Sequence, residues 1–198
     1  MPQPLQGIEN NLTIFDRLSE HIVQQAVNNV DLQQFRKIII KNAQQGDENK
    51  WYVDYWFINV LDTIGHELYV LGFNVDSTVS IESCSTAVLE YKIKHLDIEY
   101  TSKNKFWNTS SIERRIAVEL WIKCYKLSDG FIHWAGNIGK EYSDIIEMDH
   151  IHTLENRYIK FTKAAIPVAK GFTNFLEPIL IMGLSGTIIY LFYSFRSK

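Results

Sequence analysis

Arg115-Ile-Ala-Val-Glu-Leu-Trp-Ile-Lys-Cys-Tyr-Lys-Leu-Ser-Asp-Gly-Phe-Ile-His-Trp-Ala-Gly136 is the stretch that decides the fold. Ile116, Val118, Leu120, Ile122 and Cys124 alternate with Ala117, Glu119, Trp121 and Lys123, the two-residue period of a strand with one buried face. Ser128-Asp-Gly130 interrupts the run, and extended character resumes from Phe131 to Tyr142. Asp-Gly between two such runs is a hairpin signal, because glycine accepts the positive φ that a tight turn requires. The spacing predicts two antiparallel strands joined at that turn.

Working upstream, residues 88–101 place Leu89, Tyr91 and Ile93, then Leu96, Ile98 and Tyr100, on one side, with Lys92, Lys94, Asp97 and Glu99 between. The slip of phase at Lys94-His95 predicts a bulge inside a long strand. Residues 12–30 carry Leu12, Phe15, Leu18, Ile22, Ala26 and Val30 at spacings of three and four, an amphipathic helix that Asn10 or Asn11 can cap. Residues 35–41 read as a central strand, since three consecutive isoleucines need cover on both faces. Val53, Trp56, Phe57, Val60, Leu61, Ile64, Leu68 and Leu71 keep helical period over 51–71, with Gly72 as the residue that ends it, and Phe73-Asn-Val75 reads as a strand edge. Residues 151–175 have helical character with Pro167 as a kink.

The fold expected is α+β, a mostly antiparallel sheet with helices packed on one face, plus a C-terminal transmembrane helix. The domains expected are a soluble α+β domain over 1–150, a connecting helix over 151–177 and a single membrane anchor over 178–196. Composition agrees: 46% hydrophobic and 22% charged residues support a packed core, and only 10 Gly and 4 Pro exclude collagenous or low-complexity chains. With 20 Lys+Arg against 23 Asp+Glu, the net charge of -3 offers no general field for a nucleic-acid backbone, so nucleic acid is not an expected partner.

The C-terminal end is the local extreme. Residues 179–195 are seventeen in number and carry no charge, about 26 Å of helix at the lower limit for a bilayer core. Ile179, Leu180, Ile181, Ile188, Ile189, Tyr190, Leu191, Phe192 and Tyr193 supply its apolar body and aromatic end, with Arg196 and Lys198 placed to reach the interface. The alternative is a buried core helix, which normally keeps a polar stripe, whereas this one offers Ser185, Thr187 and Ser194. The N-terminus shows neither a basic region nor an apolar run of signal type, so a tail-anchored, single-pass topology is expected with the soluble domain in the cytoplasm. Lys160, Lys163 and Lys170 upstream narrowly outnumber Arg196 and Lys198 downstream, which favours the same orientation.

The hairpin from Arg115 to Gly136, preceded by helix, strand, helix and strand, resembles the curli-secretion (CsgG) and PelC type of envelope lipoprotein and the related TolB amino-terminal domain. The match is by motif over the hairpin and by element order over the soluble part. It implies a non-enzymatic, membrane-associated domain that assembles with copies of itself or with other subunits. The sequence departs from that pattern in having no N-terminal lipobox cysteine, no export signal and an added C-terminal span.

Chemical motifs are sparse. Cys84 and Cys124 stand forty positions apart outside any zinc-like spacing, and Cys124 falls in phase with buried positions as a small hydrophobe. Glu147, Asp149, His150 and His152 gather nitrogen and oxygen donors in six residues, but a His-x-His pair shares a face on a strand and not on a helix. No GxSxG, SxxK, HExxH or phosphate-binding loop occurs. Asp54, Asp62, His66 and Glu67 fit a solvated helix face, and the sequons Asn11-Leu-Thr13 and Asn108-Thr-Ser110 would matter only in a secreted chain. The aromatic group Trp51, Tyr52, Tyr55, Trp56 and Phe57 is denser than one helix face needs for its own sheet; it fits a protein contact or the membrane interface, and equally core packing, and Trp51, Tyr52, Tyr55 and Trp56 are the expected partner surface, along with an exposed strand edge. The expected function is a membrane-anchored accessory or scaffold subunit without enzymatic activity or cofactor, its partners being membrane lipid and other protein subunits or itself. Alternatives are a self-assembling envelope ring protein, or a membrane-bound metal-binding protein or enzyme using His133, His150 and His152.

Overall fold

The computed structural model describes residues 7–44, 46–63, 65, 67–71 (as backbone), 85–102, 111–167 and 181. The chain divides into two compact units, Met1–Ala165 and Ile166–Lys198. The first is a mixed α+β unit built on a five-stranded sheet.

Its first helix, α1 (Asn11–Asn28), opens where the Asn10 side chain accepts a 2.8 Å hydrogen bond from the Thr13 amide. Ile14, Phe15, Leu18, Ile22, Val23 and Ala26 turn inward, each large apolar side chain stabilising the fold by roughly 1.5–3 kcal/mol. A 3-10 turn leads into β1 (Lys37–Asn42), whose Ile38, Ile39 and Ile40 are all at most 2% exposed, as a strand interior to the sheet requires. Then follow α2 (Lys50–Asp62), β2 (Glu67–Leu71), and three long strands, β3 (Thr86–Ser102), β4 (Ser111–Lys126) and β5 (Ile132–Glu147).

The strand order is β2-β1-β3-β4-β5. β1 lies parallel to both β2 and β3, while β3-β4-β5 is an antiparallel meander. The three long strands are antiparallel as expected, but the sheet as a whole is mixed, since β1 pairs in parallel with both β2 and β3, and between β1 and β2 the α2 crossover returns the chain in the same direction. Both helices pack on one face, α1 against β4 and β5 and α2 against β1 and β2. The register slips between Ile93 and His95, where the sequence phase breaks. At the hairpin tip Gly130 has φ +71°, its amide donates to the Lys126 carbonyl at 2.9 Å, and the Asp129 carboxylate accepts from the Phe131 amide at 2.9 Å.

Two expected helices are shorter than their periodicity. The helix over 51–71 ends at Asp62, Gly65 takes φ +80°, and Glu67–Leu71 is a strand. Leu68 and Leu71 satisfied helical spacing, but the glycine ends the helix first. Likewise, residues 151–175 form no continuous helix: after a 3-10 turn, α3 (Ile151–Leu154) stops, and residues 155–167 run as turns and a short 3-10 segment at Lys160–Thr162. The Thr162 hydroxyl, donating to the Ile159 carbonyl at 2.8 Å, belongs to that irregular path, and the segment is part of the first unit rather than a connecting helix.

Among the described residues no helix is long and apolar enough to cross a membrane. Residues 179–195, expected as the span, lie outside the described residues apart from Ile181, which is helical and 59% exposed. The expected short strand at residues 73–75 and the Asn108 sequon also lie outside them, as does Cys84.

Candidate functional site

Helix α2 carries two unlike faces. Val53, Phe57 and Leu61 point into the core, where the Phe57 ring stacks on Tyr91 at 5.3 Å. Tyr91 donates to Asp54 at 2.7 Å, and burial raises the Asp54 carboxyl above its ordinary value, so this residue is an internal acceptor and not part of a solvated polar face. On the opposite side Trp51, Tyr55 and Ile58 stand four and three positions apart, at 55%, 53% and 38% exposure.

The aromatic group named from sequence is therefore divided. Trp51 and Tyr55 face outward, whereas Tyr52 is 3% exposed and Trp56 is half-buried, because a one-residue step turns a helical side chain by about 100°. Tyr52 is corrected from surface to core: its hydroxyl donates to Asp16 at 2.9 Å and its ring meets Phe161 at 4.8 Å. Burial pushes the Tyr52 phenol and the Asp16 carboxyl upward. Ile58 joins the exposed stripe, a residue the sequence reading passed over although its spacing from Trp51 and Tyr55 marks it.

The histidines do not converge. His133, near the hairpin tip, lies edge-on between Phe35 and Phe131, with ring centroids 5.0 and 5.1 Å away. His150 sits in the 3-10 turn beyond the other end of β5, roughly 45 Å of extended strand away. His152 is exposed on α3, turned away from half-buried His150 because the segment is helical. Among the described residues no three histidines, cysteines or carboxylates are grouped to hold a metal ion. A common site for His133, His150 and His152 is thereby overturned. Cys124 is fully buried, and burial pushes its thiol up to about 12.

The sheet face away from the helices was not anticipated as a surface. An open groove of about 800 Å³ crosses it, lined by His95, Asp97, Arg115, Glu119, Gly139 and Glu141. Its polar groups lie close to one another: Arg115 reaches Glu141 at 2.7 Å, and the His95 ring lies 3.6 Å from Asp97 and 3.8 Å from Glu119. Further along the same face Glu90 bridges Lys41 at 3.0 Å and Lys123 at 2.8 Å, while Lys123 lies over the Tyr125 ring at 4.7 Å. The alternation of charges along β3 and β4 was the available signal.

The fifth strand is an edge: it bonds to β4 on one side and, among the described residues, to no strand on the other. Ile132 and Ile145 near its two ends are 53% and 57% exposed.

No protein-family model matches this chain, and no curated protein matches it in sequence. Among solved structures it is similar to lipoprotein GNA1162 from Neisseria meningitidis, with 9% identity and a TM-score of 0.38 over 76% of this chain and 98% of that one. It is also similar to the LpoB C-terminal domain from Salmonella enterica, with 8% identity and a TM-score of 0.34 over 64% and 97%. Rare lipoprotein B from Shewanella oneidensis gives 11% identity and a TM-score of 0.32 over 78% and 98%. Two of these three are lipoproteins by name. None of the three is a curli-secretion, PelC or TolB protein by name.

Proposed function

We propose that this chain is a membrane-anchored accessory subunit, without catalytic activity, that holds a protein partner on its first unit. Residues 179–195 form the anchor in this reading, and the free edge of β5 receives the partner. The observation that carries the reading is that edge: a strand of sixteen residues with one row of backbone donors and acceptors unpaired among the described residues. The anchor is supported by its uncharged composition and by Ile181, an apolar helical residue that the chain leaves exposed. The narrow excess of Lys160, Lys163 and Lys170 over Arg196 and Lys198 favours the cytoplasmic side for the first unit.

The test is fractionation of cells making the full chain, a chain ending at Lys170, and the full chain with Ile145→Lys. The full chain is expected in the membrane fraction after alkaline carbonate, and the shortened chain in the soluble fraction. Ile145→Lys is expected to stay anchored and folded but to lose the partner that co-purifies in detergent, since a charge on an edge strand opposes strand addition. A partner that is a second copy of this chain appears as a multiple of the monomer mass. A full chain released by carbonate overturns the anchor, and an unaltered partner with Ile145→Lys overturns the edge.

A further inference from the structure

The exposed stripe of α2 is not isolated. Trp51 meets Tyr52 edge-on at 5.7 Å, Tyr52 meets Phe161 at 4.8 Å, and Lys160 pairs with Glu48 at 2.8 Å. These contacts lay the last segment of the first unit beside the N-terminal end of α2. That segment presents Tyr158, 90% exposed, between Arg157 and Ile159. Tyr158 is not on a loose tail: its amide donates to the Asn156 side chain at 2.9 Å, and the Asn156 amide donates to the Thr162 hydroxyl at 3.1 Å. Arg157 and Lys163 are exposed and have no acidic partner among the described residues, Lys163 donating instead to the Arg157 carbonyl at 2.7 Å, whereas Glu48, the exposed carboxylate that touches this segment, is paired with Lys160.

Two residues past Lys163 the unit ends, and thirteen residues, 166–178, separate it in sequence from the uncharged stretch. Fully extended they reach at most about 45 Å, so an anchor at 179–195 keeps this end of the unit within reach of the bilayer. Indole and phenol rings on an exposed stripe, flanked by cations that no carboxylate neutralises, match the chemistry of an anionic headgroup layer, in which the rings settle at the acyl boundary and the cations meet phosphate.

We infer that Trp51, Tyr55, Ile58 and Tyr158, with Arg157 and Lys163, form a face that lies on the surface of an anionic lipid bilayer. The inference rests on the anchor reading, since the anchor brings this face to the membrane. It orients the first unit with the α2 end toward lipid and leaves the β5 edge, on the far side of the sheet, available to protein.

The test reconstitutes the full chain in vesicles of two parts phosphatidylcholine to one part phosphatidylglycerol, with brominated or ordinary acyl chains, and reads tryptophan emission. Quenching by brominated lipid is expected, and Trp51→Phe is expected to abolish the component that Trp51 contributes while the remaining tryptophans are unaffected. Arg157→Glu with Lys163→Glu is expected to lower quenching of Trp51 in anionic vesicles to its level in pure phosphatidylcholine, and Arg157→Gln with Lys163→Gln, which removes the charges without reversing them, is expected to lower it part of the way, with an unchanged urea midpoint showing that either variant is folded. Carbonate-resistant association together with Trp51-dependent quenching supports both readings. Carbonate-resistant association with quenching indifferent to Trp51→Phe overturns the lipid face and leaves the anchor, and the stripe is then a protein surface. Carbonate-labile association that still shows Trp51-dependent quenching overturns the anchor and keeps the lipid face. A chain that does not float with either vesicle overturns both.

Discussion

Arg114 on β4 grips Asp144 on β5 through two of its nitrogens, with Nε to Oδ1 at 2.8 Å, and none of the arginine side chain reaches solvent. Its remaining nitrogen donates to the Glu9 carbonyl at 3.0 Å and to the Asn11 side chain at 2.7 Å. Asn11 in turn donates to the Tyr100 hydroxyl and to the Thr162 carbonyl, both at 2.8 Å. A buried guanidinium is tolerated here because every direction around it offers an acceptor.

Removing the acceptor is therefore worse than removing the charge. Asp144→Ala strands a fully buried cation and is expected to cost about 3–5 kcal/mol in urea unfolding. Arg114→Met leaves Asp144, whose side chain is 23% exposed, free to hydrate, and is expected to cost less. Equal losses for the two variants would mean that the arginine is not desolvated.

The two faces of α2 should respond in opposite ways. Phe57→Ala removes a fully buried ring stacked on Tyr91 and is expected to lose about 3–5 kcal/mol. Trp51→Ser and Tyr55→Ser, at exposed sites, are expected to shift stability by no more than about 0.5 kcal/mol in the same urea titration. A large loss at Trp51 would show that the stripe is already covered within the chain.

Glu90 gives a pH dependence with a definite sign. Burial raises its carboxyl, but hydrogen bonds from Lys123 and Lys41 and their charges outweigh this and hold it below the ordinary value of 4.5. A carboxyl depressed in the folded state contributes stability above its unfolded value, and this contribution disappears as pH falls through the folded one. Glu90→Gln is expected to be less stable than the parent at neutral pH, with the gap closing below about pH 4 in parallel thermal melts. A gap independent of pH would assign the effect to packing alone.

Burial and the raised thiol of Cys124 predict its protection. Labelling of the native chain with a thiol reagent at mildly alkaline pH is expected to be the same with and without Cys124→Ser. In urea the parent is expected to take up one label more than the variant.

How much of this was legible in the sequence follows from which signals had competitors. The phase slip at Lys94-His95 and the Asp-Gly turn each rest on a local rule with one outcome, and each is found where the residues place it, whereas the helix cap was open between two adjacent asparagines and falls on Asn10. The stretch from Glu67 to Leu71 obeyed two periods at once, and Gly65, not hydrophobic spacing, decided between them. Parallel pairing of β1 with β3 is a relation between distant segments that no local pattern encodes. Arg114 was passed over because the strand was read from Ile116; one turn of the alternation further back, it occupies an inward position between Ile112 and Ile116. The exposed stripe was half legible: density of aromatics marked the helix, but only the helical phase separates Trp51 and Tyr55 from Tyr52.

The Asn11 to Thr162 hydrogen bond has a mechanical consequence. A load applied to the chain after Ala165 meets this bond, the Lys160–Glu48 pair and the Phe161 ring, edge-on to Phe15 at 5.0 Å, before the backbone ladder of any strand. Such a load pulls on a short segment held by separate contacts rather than on the long ladders of β3, β4 and β5, so in a pulling experiment from the C-terminal side the segment from Glu155 to Ala165 is expected to release first, at lower force than the sheet.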